Sequence, residues 1–311
     1  MNYPQSILFF ATISASTLAS CVHARAKSSL GPNFVTRHLS AQNLSREYLL
    51  YTPPNYDSSR QTPVVIGFHG GETTNALFAR TSRLHILAEQ ENFLVVYPNG
   101  VDKHWNDGRG TSNPNIDDVG FVTAVVEDLK SIRNVDTNRI YATGISNGAF
   151  MTQRLACELA DVIAAFSAVA GSMGVNLRSS CRPGRPVSMM IINSPNDNFV
   201  PWNGGIMKKG KGGNILSIPE LVEFWKQHNS CGEREERTFL KRISTDKTKV
   251  VMRQHKGCRA DSQLVLFTIE GGGHTWPAGA DQPPWLVGPT SREIDATTES
   301  WNFFKKHSLK K

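Results

Sequence analysis

Apolar positions along this chain fall into short continuous runs, separated by segments with helical spacing. The run Pro63-Val64-Val65-Ile66-Gly67-Phe68 is apolar on both faces and ends at His69-Gly70-Gly71. Comparable runs at 47–52, 93–97, 139–144, 164–170, 187–192 and 264–269 each predict a strand. Between them, Phe121, Val122, Val125, Val126, Leu129 and Ile132 recur at helical spacing and predict an amphipathic helix over 119–132. Helices are also expected over 75–90, 148–159, 218–229 and from 295 to 307, the last with Asp295 as its N-cap. Asp118 is expected to cap the helix over 119–132. Strands apolar on both faces that alternate with helices imply an α/β fold: a mostly parallel central sheet with helices on both faces. Ligands in such sheets bind beyond the C-terminal ends of the strands, so those ends carry the chemistry.

Three of the ends carry reactive groups. Ser146 lies in Gly144-Ile145-Ser146-Asn147-Gly148, after the run at 139–144 and before an expected helix. The pentapeptide alone is weak, but a serine on a tight strand-to-helix turn projects its hydroxyl from a sheet edge. Asp197 follows the strand at 187–192, and His274 follows the last strand after Gly271-Gly272-Gly273. The order serine, acid, histidine is that of the α/β-hydrolase fold. A serine hydroxyl needs a base within hydrogen-bond reach, His274 can be that base, and Asp197 would hold the imidazole in the required tautomer. The main-chain N–H groups at Gly70, Gly71 and Asn147 are where this fold puts an oxyanion hole. Trp105, Trp202, Trp276 and Trp285 fall in loops assigned to the same edge and are expected to line a substrate cleft. Trp105-Asn106-Asp107 and Asp117-Asp118 are expected to help shape it.

The net charge of +7 changes the picture little. Much of it sits at Lys208, Lys209 and Lys211 in one Gly-rich loop and at Lys305, Lys306, Lys310 and Lys311 at the end. No nucleic-acid motif accompanies it, so no nucleic-acid partner is expected. The N-terminus matters more. Residues 7–20 are apolar but short for a membrane span, and Ala24-Arg25-Ala26 is an A-x-A cleavage pattern. Leu18-Ala19-Ser20-Cys21 also resembles a lipobox, which would leave Cys21 lipidated and the protein anchored to a membrane. A signal peptide over 1–26 is therefore expected, cut before Cys21 or after Ala26, with a single catalytic domain over 27–311 outside the cytoplasm. Four cysteines remain, Cys157, Cys181, Cys231 and Cys258, which allow two disulfides in three connectivities. Cys157–Cys181 and Cys231–Cys258, closing loops of about 25 residues, are favoured. No C-x-x-C pair occurs, which argues against a redox or zinc role, and no metal or organic cofactor is expected.

Taken together, the motifs resemble the secreted esterase family of polyhydroxybutyrate depolymerases and feruloyl or acetylxylan esterases. The resemblance runs from about Arg46 to His307. It rests on His69-Gly70-Gly71, on Asp117-Asp118-Val119-Gly120-Phe121, and on Arg139-Ile140-Tyr141-Ala142-Thr143 leading into the serine pentapeptide. It rests also on Val200-Pro201-Trp202-Asn203-Gly204-Gly205, on Gly271-Gly272-Gly273-His274-Thr275-Trp276-Pro277, and on Trp301-Asn302-Phe303-Phe304. It implies a triad of Ser146, Asp197 and His274, the two disulfides above, and hydrolysis of small or oligomeric carboxylic esters. Where the family often has a His-Gly lead-in to the acid, this chain has Asn193-Ser194-Pro195-Asn196. The other readings are a serine peptidase on the same fold and a non-catalytic binding protein.

Overall fold

Ten strands form one sheet in the computed structural model, which describes residues 30–242 and 245–309. The expected leader over 1–26, with both of its cleavage readings, lies outside the described residues. In chain order the strands are β1 (Phe34–Ala41), β2 (Leu44–Tyr51), β3 (Thr62–Phe68), β4 (Leu94–Pro98), β5 (Val135–Ile145), β6 (Ala165–Val169), β7 (Ser188–Asn193), β8 (Gly205–Ile206), β9 (Asn214–Ile215), β10 (Glu235–Phe239), β11 (Lys249–His255) and β12 (Leu264–Glu270). The helices are α1 (Asn75–Ser82), α2 (Leu84–Glu91), α3 (Asp118–Ile132), α4 (Asn147–Glu158), α5 (Val175–Ser180), α6 (Ile218–His228), α7 (Pro284–Val287) and α8 (Ala296–Phe304).

The sheet order is β1-β2-β4-β3-β5-β6-β7-β12-β11-β10, with β8 and β9 a separate hairpin. From β4 to β12 every pairing is parallel, and antiparallel strands close both edges. Every residue of β3, β4, β6 and β7 is buried, which is why their sequences are apolar on both faces. One face packs on α3, α4 and α6 through Phe121, Met151, Leu155 and Trp225. The other packs on α1, α2 and α8 through Phe78, Leu84, Ala88, Trp301 and Phe304. There Phe93 stacks on Trp301 at 4.1 Å and Tyr141 on Phe304 at 4.9 Å. Each such side chain contributes about 1.5–3 kcal/mol by leaving water. Cys157 is bonded to Cys181 and Cys231 to Cys258.

Three expectations need correction. The helix over 75–90 is two helices, broken at Arg83, whose φ of 55° lies in the left-handed region. The Ser82 carbonyl accepts from Thr297 Oγ1 of α8, a contact between distant segments that local periodicity cannot contain. Helix α3 is capped by Asp117, whose Oδ1 accepts from Gly120 N at 2.8 Å, and not by Asp118. Asp118 is fully buried instead, paired with Arg46 at 2.7 Å and accepting from Asn106 N at 2.6 Å. Burial pushes the Asp118 carboxyl above its ordinary range, with Arg46 and Asn106 opposing. Finally, α8 stops at Phe304, short of 307. The edge strands β1 and β10, and β11 next to β10, carried no continuous apolar run because polar residues interrupt them; β10 is exposed at all of its positions.

Candidate active site

The turn between β5 and α4 explains the serine pentapeptide sterically. Ser146 has φ 57° and ψ −123°, a conformation costing on the order of 1–3 kcal/mol for a residue with a Cβ. The surroundings hold it there. Its N–H donates to Val169 O at 3.0 Å, and its carbonyl accepts from Ala149 and Phe150. A Cβ on Gly144 would lie 2.4 Å from Gly148 O, and one on Gly148 would lie 2.2 Å from Phe68 O. Neither position has room for a side chain, so the flanking glycines are what let β5, α4 and β3 meet at this corner.

His274 and Asp197 are in direct contact. His274 Nδ1 lies 2.8 Å from Asp197 Oδ2 and donates to it, and in the neutral imidazole this tautomer leaves Nε2 as the acceptor. The other carboxylate oxygen, Oδ1, accepts from Phe199 N at 2.7 Å and Val200 N at 2.9 Å. Three hydrogen bonds therefore satisfy a buried acid, as burial of a charged group requires. The Phe199 ring stacks on the imidazole, 4.8 Å between centroids at 22°. Ser194 Oγ donates to Gly272 O at 2.6 Å, and Gly271 N donates to Asn196 Oδ1 at 2.9 Å. The unusual Asn193-Ser194-Pro195-Asn196 lead-in thus ties the acid loop to the histidine loop. Gly273 completes the histidine loop: a Cβ there would lie 2.1 Å from Val287 O.

Ser146 and His274 line one cavity of about 550 Å³, together with Gly70, Gly71 and Asn147. Among the described residues no hydrogen bond joins the Ser146 hydroxyl to His274. The structure thus brings His274 onto Asp197, and brings Ser146 and His274 to the same cavity. Among the described residues the main-chain N–H groups of Gly71 and Asn147 have no acceptor. His69 sets the direction of the first. Its Nδ1 donates to Gly70 O at 2.7 Å, Thr73 Oγ1 donates to the same oxygen, and its Nε2 accepts from Gly100 N at 2.9 Å. Gly70 C=O and Gly71 N–H belong to one trans peptide plane, so anchoring the carbonyl aims the N–H the opposite way. Burial pushes the His69 imidazole down to about 4, so the ring is neutral at ordinary pH.

None of the four tryptophans expected in the cleft is among the residues lining the cavity. Trp105 is fully buried beneath it, its Nε1 donating to His69 O at 2.9 Å. Trp276 is buried with its Nε1 on Thr297. Trp202 packs against the core, and Trp285 is 83% exposed. The aromatic and apolar lining comes from Phe78, Phe150, Phe199, Leu77 and Ile145. These residues carried no signal separating them from core positions. Arg109, 5% exposed and at the cavity wall, was also missed; its partner Asp107 stood in the flagged Trp105-Asn106-Asp107 stretch. Among the described residues no group of three His, Cys, Asp or Glu could hold a metal ion, and no helix is long and apolar enough to cross a membrane.

Comparison with known proteins shows what the chain is similar to. The family model described as esterase PHB depolymerase matches residues 46–183. Feruloyl esterase C of Emericella nidulans is 29% identical over 265 residues, 83% of this chain and 83% of that protein. Feruloyl esterase B of Piromyces equi is 26% identical over 238 residues, 74% of this chain and 42% of that longer protein. The solved structure of acetyl xylan esterase from Aspergillus awamori superposes with a TM-score of 0.55 at 17% identity. The match covers 77% of this chain and 94% of that one and shows a shared fold.

Proposed function

We propose that this chain, which is similar over residues 46–183 to the family described as esterase PHB depolymerase and along most of its length to feruloyl esterases, cleaves carboxylic esters through an acyl-enzyme at Ser146. The esterases among the relatives support this reading over the peptidase and non-catalytic ones. The observation that carries the mechanism is Ser146, held at φ 57° on the wall of a cavity it shares with His274, which is itself bonded to Asp197.

His274 Nε2 takes the Ser146 proton as Oγ attacks the ester carbonyl, and the proton then goes to the leaving alcohol. Asp197 stabilises the imidazolium formed in between. The carbonyl oxygen, negative in the tetrahedral intermediate, receives the N–H groups of Gly71 and Asn147, with Gly70 shaping the approach. Water then attacks the acyl-enzyme by the same route, with His274 again as base. No step calls for a metal or cofactor.

The substrates are feruloyl or acetyl esters of plant polysaccharide or oligomers of hydroxyalkanoates. The apolar lining at Phe150, Phe199 and Phe78 is compatible with an aromatic acyl group, and the feruloyl esterases among the relatives support that choice. The chain is exported by a leader over 1–26 and works as one catalytic domain over 27–311, a reading supported by its two disulfides. A panel of methyl ferulate, acetylated xylan, hydroxybutyrate oligomers and short nitrophenyl esters tests the proposal. The wild type should hydrolyse at least one class and Ser146→Ala none. Turnover by Ser146→Ala at the wild-type rate would overturn the acyl-enzyme.

A further inference from the structure

The N–H groups of Gly71 and Asn147 come from segments 76 residues apart in the chain, yet a tetrahedral oxyanion needs both at once. Such donors work only when their spacing is held to a fraction of an ångström. We infer that the side chain of Asn147, joined to Trp105 and Asp107, is a positioning strut that sets this spacing. The inference rests on the Ser146 reading above.

The pentapeptide asks only for a main-chain N–H at position 147; the side chain there does something separate. Asn147 Oδ1 accepts from Trp105 N at 2.8 Å, and Nδ2 donates to Trp105 O at 3.2 Å and to Asp107 Oδ2 at 2.5 Å. Both amide protons are used. Trp105 turns its other end to the opposite segment. Its indole Nε1 donates to His69 O at 2.9 Å, and its ring packs edge-on against Phe68 at 5.2 Å. The path from Asn147 through Trp105 to His69 therefore joins the serine corner to the loop carrying Gly71. Asp107 fixes the middle. Its Oδ2 also accepts from Arg109 Nε at 2.9 Å and Nη2 at 2.7 Å. The Arg109 guanidinium lies 4.4 Å over the Phe150 ring of α4, and Nη1 donates to Gly212 O. All four residues are buried, so the bonds act without competing water. This explains why Trp105 sits beneath the cavity instead of lining it.

Two variants cut the strut at different points. Asn147→Ala keeps the main-chain N–H and removes the carboxamide. Trp105→Phe keeps most of the ring and removes the indole N–H. Each should lower kcat about 10- to 100-fold per titrated active site, with KM within about threefold. Each should weaken inhibition by a trifluoromethyl ketone, which forms an oxyanion adduct with serine, by the same factor. Because both cuts sever one connection, the double variant should lose no more than the worse single one. The inference is overturned by unchanged kcat, by losses that multiply in the double variant, or by losses confined to KM with ketone affinity intact. Should Asn147→Ala not fold, Trp105→Phe and its ketone affinity decide the matter. A Ser146→Ala protein that still titrates as active would overturn the Ser146 reading itself, a result separate from any of these.

Discussion

At the scale of single residues, the buried acid of the candidate site has its carboxylate fully hydrogen-bonded. Asp197 has three hydrogen bonds, and only one of them goes to His274. Asp197→Asn keeps the shape but turns an acceptor into a possible donor toward Nδ1, which favours the wrong imidazole tautomer. Turnover should fall about 10⁴-fold with little change in folding; a nearly normal rate measured on an activated ester would remove Asp197 from the mechanism. His69 makes a prediction about pH. Burial lowers its pKa from an ordinary value of 6.5 to about 4, and His307 is lowered to about 4 by the same cause. The unfolded chain takes up these protons from about pH 6.5 downward, whereas the folded chain resists until about pH 4. Stability from this source is full above pH 6.5 and is lost as the pH falls toward 4, by roughly 3 kcal/mol for His69. Thermal melts from pH 7 to 4.5 should show a falling midpoint; a flat profile would contradict a neutral buried His69. The candidate residues Ser146, Asp197 and His274 stood out in the sequence because each follows a strand at a position only a few residue types can fill. Trp105 was misread because loop membership says nothing about whether a side chain faces the cavity or the floor under it.

At the scale of elements, the corner between β5 and α4 is the most constrained place in the chain. Gly148→Ala would set a methyl group 2.2 Å from Phe68 O, against backbone that cannot move without disturbing β3. The cost should be at least about 3 kcal/mol, and soluble, active protein should be scarce; a normal melting temperature would show that the corner has slack. The disulfides act on other elements. Cys157 near the end of α4 is held to Cys181 after α5, and Cys231 after α6 to Cys258 after β11. Closing loops of this length stabilises by roughly 3 kcal/mol each. Reduction should therefore lower the melting temperature by several degrees, and an unchanged midpoint would make both bonds dispensable. The central strands and the long helices were legible because burial on both faces, or on one stripe, writes a period into the sequence. The break at Arg83, the choice of Asp117 over Asp118 as cap, and strand β10 were not. Each is decided by a neighbour far away in the chain or by pairing at an edge that stays wet.

At the scale of the whole molecule, a parallel sheet covered on both faces delivers three strand ends to one edge, and the cavity lies there. That arrangement was legible from the order of serine, acid and histidine along the chain. The lining of the cavity was not, because Phe150, Phe199 and Ile145 look like any other core residues until the sheet is assembled. Substrate choice therefore belongs to this scale. Filling the cavity beside Phe199 by substitution with a larger side chain should reduce activity on aromatic esters more than on acetyl esters. The central claim, that Ser146 is the group that attacks the ester, is tested most directly by reaction with a fluorophosphonate followed by peptide mass mapping. One adduct per chain is predicted, carried on Ser146 and absent from Ser146→Ala. An adduct on any other residue, or equal labelling of the Ser146→Ala protein, would contradict it.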